Sequence, residues 1–291
     1  QNLDIVISLV QSSRKFRNLD QELIRKELLK EIQKHPNLRK MIEQGDERSL
    51  ARNKAVKALQ RRVRASLFLL HSAYYGKRSD VRWKLLGKLE KNILADEEKV
   101  LEIHKKILHC HTSTRERMRF YKELYREIFA LTGTPKGVLD LGCGMNPISY
   151  PFMDVKNLTY VASDFSQSDC DFVMQYFLII QRIYPVDGKV FCINLLEKEG
   201  IEALLRLPFV DVCFLFKVSD LIDRKGHKPT EKVIAAVKSR YVVVSFSTKT
   251  LSGERMDKIR RIWFEMMIER LGYSFQIIEK ENELFYVVKK G

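Results

Sequence analysis

The chain has little cysteine, five in 291 residues. Cys110, Cys143, Cys170, Cys192 and Cys213 are odd in number and form no Cys-x-x-Cys pair. That argues against a disulfide framework or a structural zinc site, and for a reducing cytoplasm with no metal. No apolar run approaches the roughly 18 residues of a membrane span, so no membrane partner is expected. Residues 1–10 carry no positive n-region, and Asp4 and Ser8 break their apolar stretch, so no secretory signal is expected. Internal repeats and low-complexity segments are also missing.

Acidic residues are scarce in one region. Between Glu47 and Asp80 there is none, while Arg48, Arg52, Lys54, Lys57, Arg61, Arg62, Arg64, Lys77 and Arg78 fall there. The whole chain has 52 basic and 37 acidic residues, a net charge of +15. Residues 1–130 hold 30 basic and 17 acidic; residues 131–291 hold 22 and 20. An excess so placed describes a polyanion-binding attachment joined to a near-neutral globular domain.

Residues 1–110 read as helical and form the first expected domain. Leu3, Val6, Ile7 and Val10 repeat at helical spacing. Asp20 caps a helix carrying Leu23, Leu28, Leu29 and Ile32, which His35-Pro36 ends. Residues 51–75 form another, apolar at Val56, Leu59, Val63, Leu67 and Leu70 and ended by Gly76. Further helices are expected over 80–93 and 96–108. Ser113 and Glu116 form a capping box for a joining helix that carries Met118, Tyr121, Leu124, Tyr125 and Ile128 and stops near Gly133.

Residues 111–291 form the second expected domain, and its period changes after Lys136. Strands are expected at 138–141, 158–163, 190–194, 210–216 and 241–246, alternating with helices at 168–182, 201–207, 229–237 and 256–271. That alternation implies a parallel sheet with right-handed crossovers. Strands at 274–278 and 284–288 follow as a hairpin. The expected fold is α/β, a Rossmann-like sheet with a C-terminal antiparallel hairpin, preceded by an all-α N-terminal domain.

Leu139-Asp140-Leu141-Gly142-Cys143-Gly144 lies where the first strand ends. Its glycines let the backbone turn tightly and approach a ligand. Asp164 ends the second strand, 22 residues after Gly142, where a carboxylate accepts both hydroxyls of a ribose. A third glycine is missing, since Met145-Asn146-Pro147 follows Gly144, and there is no P-loop lysine. An adenosine without a pyrophosphate fits, which points to S-adenosyl-L-methionine.

Four segments occur together: Gly142-Cys143-Gly144-Met145-Asn146-Pro147, the run from His111 to Arg117, Phe214-Leu215-Phe216-Lys217, and the run from Ser245 to Gly253. In this order they resemble the aminoglycoside-resistance 16S rRNA (guanine-N7) methyltransferase family over about residues 50–291. The resemblance implies a class I S-adenosylmethionine-dependent methyltransferase acting in the decoding region of the 30S subunit, with a helical domain that grips it. The chain departs from the family at Val218-Ser219-Asp220, Asp223-Arg224 and Ser247, on the target-base side. Two alternatives stay open: a methyltransferase for another rRNA or tRNA base, and a non-catalytic RNA-binding or ribosome-assembly protein with this fold.

In the enzyme reading Gly142, Cys143, Gly144 and Asn146 line the cofactor and Asp164 holds its ribose. Asn194 faces the adenine amino group, flanked by Leu195 and Leu196. Arg117, with Arg115 as competitor, forks the cofactor carboxylate. Lys217 is the catalytic candidate and orients the target base or phosphate. Arg52, Lys57, Arg61, Arg62, Arg64, Lys249 and Arg255 are the RNA contacts. Tyr150, Phe165 and Phe246 are candidate stacking platforms. His109 and His111 are surface or capping groups, Met145 is core, and a monomer is expected.

Overall fold

The computed structural model describes residues 2–13, 16, 21–71, 79–94, 96–223, 228–250 and 254–291. Asp20, Gly76, Lys77, Arg78, Arg224 and the glycine-containing segment 251–253 lie outside them. Packing divides the chain into two units, Gln1–Tyr75 and Gly76–Gly291.

The first unit is helical. It contains α1 (Asn2–Gln11), α2 (Gln21–Gln33), α3 (Pro36–Gln44), α4 (Glu47–Arg52) and α5 (Lys54–His71). Pro36 starts α3 at its first turn, where the missing N–H costs nothing, so the break at His35 is a junction between two helices. The helix expected over 51–75 is interrupted at Asn53, whose Oδ1 accepts from the Ala55 and Val56 amides at 2.8 and 3.3 Å and caps α5. Val6, Ile7 and Val10 of α1 are buried with Ile24 and Leu28 of α2 and Val56, Leu59 and Val63 of α5.

The second unit opens with α6 (Ser79–Asn92), α7 (Glu97–Leu108), α8 (Thr112–Arg117) and α9 (Tyr121–Thr132). Leu86, Leu89, Ile103 and Ile107 of α6 and α7 share one buried cluster with Ile148, Phe172 and Tyr176. These two helices therefore complete the core against the sheet, and the division falls at 75/76 instead of after residue 110. The excess of charge divides too: residues 1–75 carry a surplus of 8 and residues 76–130 a further 5. The capping box is not formed. His111 is the N-cap of α8, with no side-chain cap, and Ser113 lies inside the helix. The Thr114 hydroxyl points the other way and ties α8 back to the end of α7, donating to the Leu108 carbonyl at 2.5 Å.

Seven strands follow: β1 (Gly137–Leu141), β2 (Leu158–Asp164), β3 (Val186–Cys192), β4 (Val210–Phe216), β5 (Ser239–Ser247), β6 (Ser274–Lys280) and β7 (Glu283–Lys289). Their order in the sheet is β3-β2-β1-β4-β5-β7-β6. The first five run parallel, and β7 pairs antiparallel with both β5 and β6. Between them lie α10 (Gln167–Ile180), α11 (Lys198–Leu204), α12 (Ser219–Ile222), α13 (Lys228–Ala236) and α14 (Ile262–Arg270). This is the expected Rossmann-like sheet with its terminal hairpin. β3 begins four residues before the expected start because Val186 already pairs with Leu158. The start of α14 is later than expected, because Arg255 bridges to Lys249 and Arg261 donates to the Ser247 carbonyl at 2.9 Å.

Two glycines give opposite expectations. A Cβ on Gly200 of α11 would lie 1.9 Å from the Asn194 carbonyl oxygen, whereas one on Gly87 of α6 would meet nothing within 4 Å. Gly87→Ala should stabilise by about 0.5–1 kcal/mol through helix propensity. Gly200→Ala should destabilise by about 1–3 kcal/mol through overpacking. Denaturant melts of both variants check the signs; a stabilised Gly200→Ala protein would contradict the packing of α11 on the 194–195 turn.

Candidate functional site

The carboxyl edge of the sheet brings most of the candidate residues together. β1 runs into Gly142 and Gly144, at φ +62° and +48°, in the left-handed region that disfavours side chains. A Cβ on Gly142 would lie 2.6 Å from Val218, and one on Gly144 would lie 3.3 Å from the His111 ring. The loop is thus clamped between the exit of β4 and the start of α8. The Cys143 amide donates to the Ser163 carbonyl at 2.9 Å, and its thiol is buried, which pushes its pKa up. Cys143 contributes backbone to the loop, and its side chain is core.

Asp164 ends β2 and is buried. Its Oδ2 accepts from the Gly144 amide at 3.0 Å and its Oδ1 from the Ser166 amide at 3.0 Å. Each oxygen keeps a second lone pair, so the carboxylate fits two ribose hydroxyls. Burial and, next, the charge of Asp169 push its pKa up to about 7. Asp169 itself is held by Arg82 of α6, a buried ion pair that the sequence reading missed. Asn194 follows β3 on the same side. The Ile193 amide donates to the Asp164 carbonyl at 2.8 Å, and Asn194 Oδ1 accepts from the Leu196 amide at 3.1 Å. Leu195 is buried, and Leu196 is half exposed. Asp164, Asn194 and the glycine loop thus form a cradle suited to an adenosine.

Asn146 has a different place from the expected one. Its Nδ2 donates to Asp140 Oδ2 at 2.9 Å and its Oδ1 accepts from the Tyr121 hydroxyl at 2.9 Å. The amide is therefore bonded at both ends and buried in the core, where Tyr160 also donates to Asp140 at 2.7 Å. Burial pushes Asp140 up to about 6, against these hydrogen bonds. Asn146 shapes the loop and does not present its side chain to a ligand. His111 is likewise buried, not a surface group. Burial first, and then the charges of Arg117, Arg82, Lys217 and Arg115, bring it down to about 3 and keep it neutral.

Arg117 and Lys217 meet on a residue the sequence reading did not single out, Glu283 at the start of β7. The Arg117 Nε lies 3.1 and 3.0 Å from the two Glu283 oxygens, and its Nη2 lies 2.8 Å from Oε1. The guanidinium also sits 4.8 Å over the Phe216 ring. Burial alone would lower the Arg117 pKa; the Glu283 carboxylate outweighs it and raises it. Burial alone would raise the Glu283 pKa; Arg117 and Lys217 outweigh it and lower it. Lys217 lies 2.7 Å from Glu116 Oε2 and 3.5 Å from Glu283 Oε2. Ser245 of β5 donates its hydroxyl to Glu283 as well. One face of the Arg117 fork is thus taken by Glu283, and the Tyr121 hydroxyl lies against the same buried guanidinium.

The remaining candidates divide. Arg52, Lys57, Arg61 and Arg62 are exposed in the first unit, and Arg62 also pairs with Glu31 at 3.1 Å. Arg64 is spent on the end of α1: it donates to the carbonyls of Leu9 and Val10, and burial lowers its pKa. Arg255 is exposed and pairs with Glu279 at 2.9 Å, with half-buried Lys249 opposite it in the bridge. Tyr150 is buried with its hydroxyl on the Val155 carbonyl, and Phe246 is enclosed by Trp263, Phe264 and Tyr286. Neither is a stacking platform. Phe165, half-buried beside Asp164, keeps an accessible face. Met145 is core as expected. Among the described residues no three His, Cys, Asp or Glu side chains are placed to hold a metal ion, and no helix is long and apolar enough to cross a membrane.

Comparison with known proteins follows the same lines. A family model described as ribosomal RNA methyltransferase (FmrO) matches residues 34–287. A 16S rRNA (guanine(1405)-N(7))-methyltransferase of Micromonospora rosea is 32% identical over 79% of this chain and 82% of its own. The protein of that name from Frankia casuarinae is 27% identical over 79% of each chain. Among solved structures, the 16S rRNA methyltransferase RmtF in complex with S-adenosyl-L-homocysteine covers 100% of this chain and 99% of its own, at 20% identity and a TM-score of 0.70. The 16S rRNA methylase RmtB covers 99% of this chain and 98% of its own, at 20% identity and a TM-score of 0.67. These structural likenesses extend the fold to the whole chain.

The raised Asp164 pKa gives the cradle a pH signature. An ionised carboxylate accepts ribose hydroxyls more strongly than a protonated one, so affinity for S-adenosylmethionine or its demethylated product should rise between about pH 6 and 8. Asp164→Asn should weaken binding by about tenfold or more at the upper pH and flatten the profile. Calorimetry across that range checks it; an Asn variant within about twofold of the wild type would remove Asp164 from the site.

Proposed function

The chain belongs to the ribosomal RNA methyltransferase (FmrO) family, and we propose that it methylates N7 of a guanine in 16S rRNA within the 30S subunit, with S-adenosyl-L-methionine as methyl donor. The observation that carries this reading is Asp164, a buried carboxylate pinned between the Gly144 and Ser166 amides at the carboxyl edge of the sheet. Ligands bind at that edge in folds of this kind. The curated relatives act on guanine 1405 by name, and this chain spans about four fifths of their length.

S-adenosylmethionine, when bound, supplies an electrophilic methyl group on a sulfonium. Guanine N7 has an in-plane lone pair and carries no proton, so no side chain has to act as a general base. The protein's part is to position and to arrange charge. Asp164 holds the ribose, Asn194 and Leu195 meet the adenine, and the backbone of Gly142 to Gly144 lets the methionine part approach. Arg117 serves its carboxylate. Lys217 addresses the target base or a neighbouring phosphate. The methylated base gains a positive charge, and a bare cation beside it would oppose the reaction. Glu116 and Glu283 beside Lys217 make that corner close to neutral.

Arg52, Lys57 and Arg61 of the first unit, with Lys249 and Arg255 of the second, are placed in this reading against ribosomal phosphates. An enzyme of ribosomal RNA works where ribosomes are built, which places it in the cytoplasm.

Incubating 30S subunits with the protein and labelled cofactor should put one methyl group into 16S rRNA, found as N7-methylguanosine by nucleoside mass spectrometry. Label on another base, or none, would contradict the assignment. Replacing Arg52, Lys57 and Arg61 together by Glu should weaken 30S binding by about tenfold or more and make it less salt-dependent, with cofactor affinity unchanged. Equal loss of both affinities would show that these residues serve the fold.

A further inference from the structure

Glu283 serves two cations from different elements. It receives Nε and Nη2 of Arg117 from α8, and it lies 3.5 Å from the Lys217 Nζ at the exit of β4. It is fully buried. If the pair were only glue, two well-packed apolar side chains would serve as well or better. A second feature sets the position apart. Lys217 sits at φ +57°, a left-handed conformation rare for a residue with a side chain. Such strain persists where the surroundings over-determine it, as at functional sites. Here Ser245 accepts the Lys217 amide on its carbonyl at 3.1 Å and on its hydroxyl at 3.0 Å, while Glu116 and Glu283 flank the ammonium. The same Ser245 hydroxyl donates to Glu283. Glu283 thus takes part in holding both ends of Lys217, the amide through the Ser245 hydroxyl and the ammonium together with Glu116, and it also holds Arg117.

We propose that Glu283 is a positioning residue for methyl transfer: it sets Arg117 on the cofactor side and Lys217 on the target side in one rigid register. This rests on the reading of the site as a guanine-N7 methyltransferase centre. Glu283 touches neither the cofactor nor the base; it acts through the two cations.

The test compares Glu283→Gln, which keeps the shape and removes the charge, with Glu283→Asp, which keeps the charge and withdraws it by one methylene. S-adenosylhomocysteine affinity is read by calorimetry, kcat and KM are read on 30S subunits, and near-ultraviolet circular dichroism checks the fold. Folded Glu283→Gln should lose about tenfold or more in kcat and about fivefold in cofactor affinity, with KM for 30S changed less than about twofold. Glu283→Asp should recover most of the cofactor affinity and only part of kcat. If both constants of folded Glu283→Gln stay within about twofold of the wild type, the proposal is overturned. Should the Gln variant fail to fold, Glu283→Asp decides: a kcat loss of about fivefold supports the proposal, and wild-type kcat overturns it. A wild type that transfers no methyl to 30S would refute the functional reading instead. Cofactor affinity would then decide alone, weakened in the variants if Glu283 positions Arg117 and unchanged if it does not.

Discussion

The ion pair between Arg117 and Glu283 joins residues 166 positions apart in the chain, with both side chains out of water. Stripping two such charges of solvent costs several kcal/mol each, and the loss is offset only by good geometry and further hydrogen bonds. Both conditions are met. The guanidinium engages both carboxylate oxygens and lies on Phe216, while Ser245 and Lys217 complete the carboxylate. The antiparallel hairpin matters for this reason: it brings β7 beside β5 and delivers Glu283 to the parallel sheet's carboxyl edge. α8, the exit of β4, β5 and the hairpin are thereby fixed to one another at the place where chemistry is expected.

A second buried pair supports the other half of the site. Arg82 of α6 holds Asp169 at the first turn of α10, and Asp169 in turn raises the pKa of Asp164. A helix read from sequence as part of the docking domain thus helps to set the electrostatics of the Asp164 carboxylate. Arg82, Arg115, Arg117 and Lys217 stand around the His111 ring and help to keep it neutral, while Asp169, Glu116 and Glu283 balance three of those charges.

Much of this was legible in the sequence. Strand and helix periods marked the seven strands, and the final hairpin stood out because no helical segment separates 274–278 from 284–288. Gly142, Gly144 and Asp164 were readable because only a few residue types satisfy a left-handed turn or a ribose at a strand end. Glu283 was hidden: it lies in a Glu-rich turn, Glu279 to Glu283, whose composition looks solvated, and only the pairing of β7 with β5 buries it. Asn146 looked like a ligand residue for the opposite reason, since its partners Asp140 and Tyr121 are brought to it by tertiary packing. Arg64 was one more arginine in a basic window until α1 ended against it. The boundary after residue 110 followed helical character, which does not reveal which core an amphipathic helix completes. With the division at 75/76, the basic surplus belongs to both units.

The most direct test is a crystal structure of the protein with S-adenosylhomocysteine. The account predicts the ribose hydroxyls on Asp164, the homocysteine carboxylate on Arg117, and the Arg117–Glu283 fork intact with Lys217 beside it. A ligand bound away from Asp164, or an Arg117 that must leave Glu283 to reach the carboxylate, would contradict it.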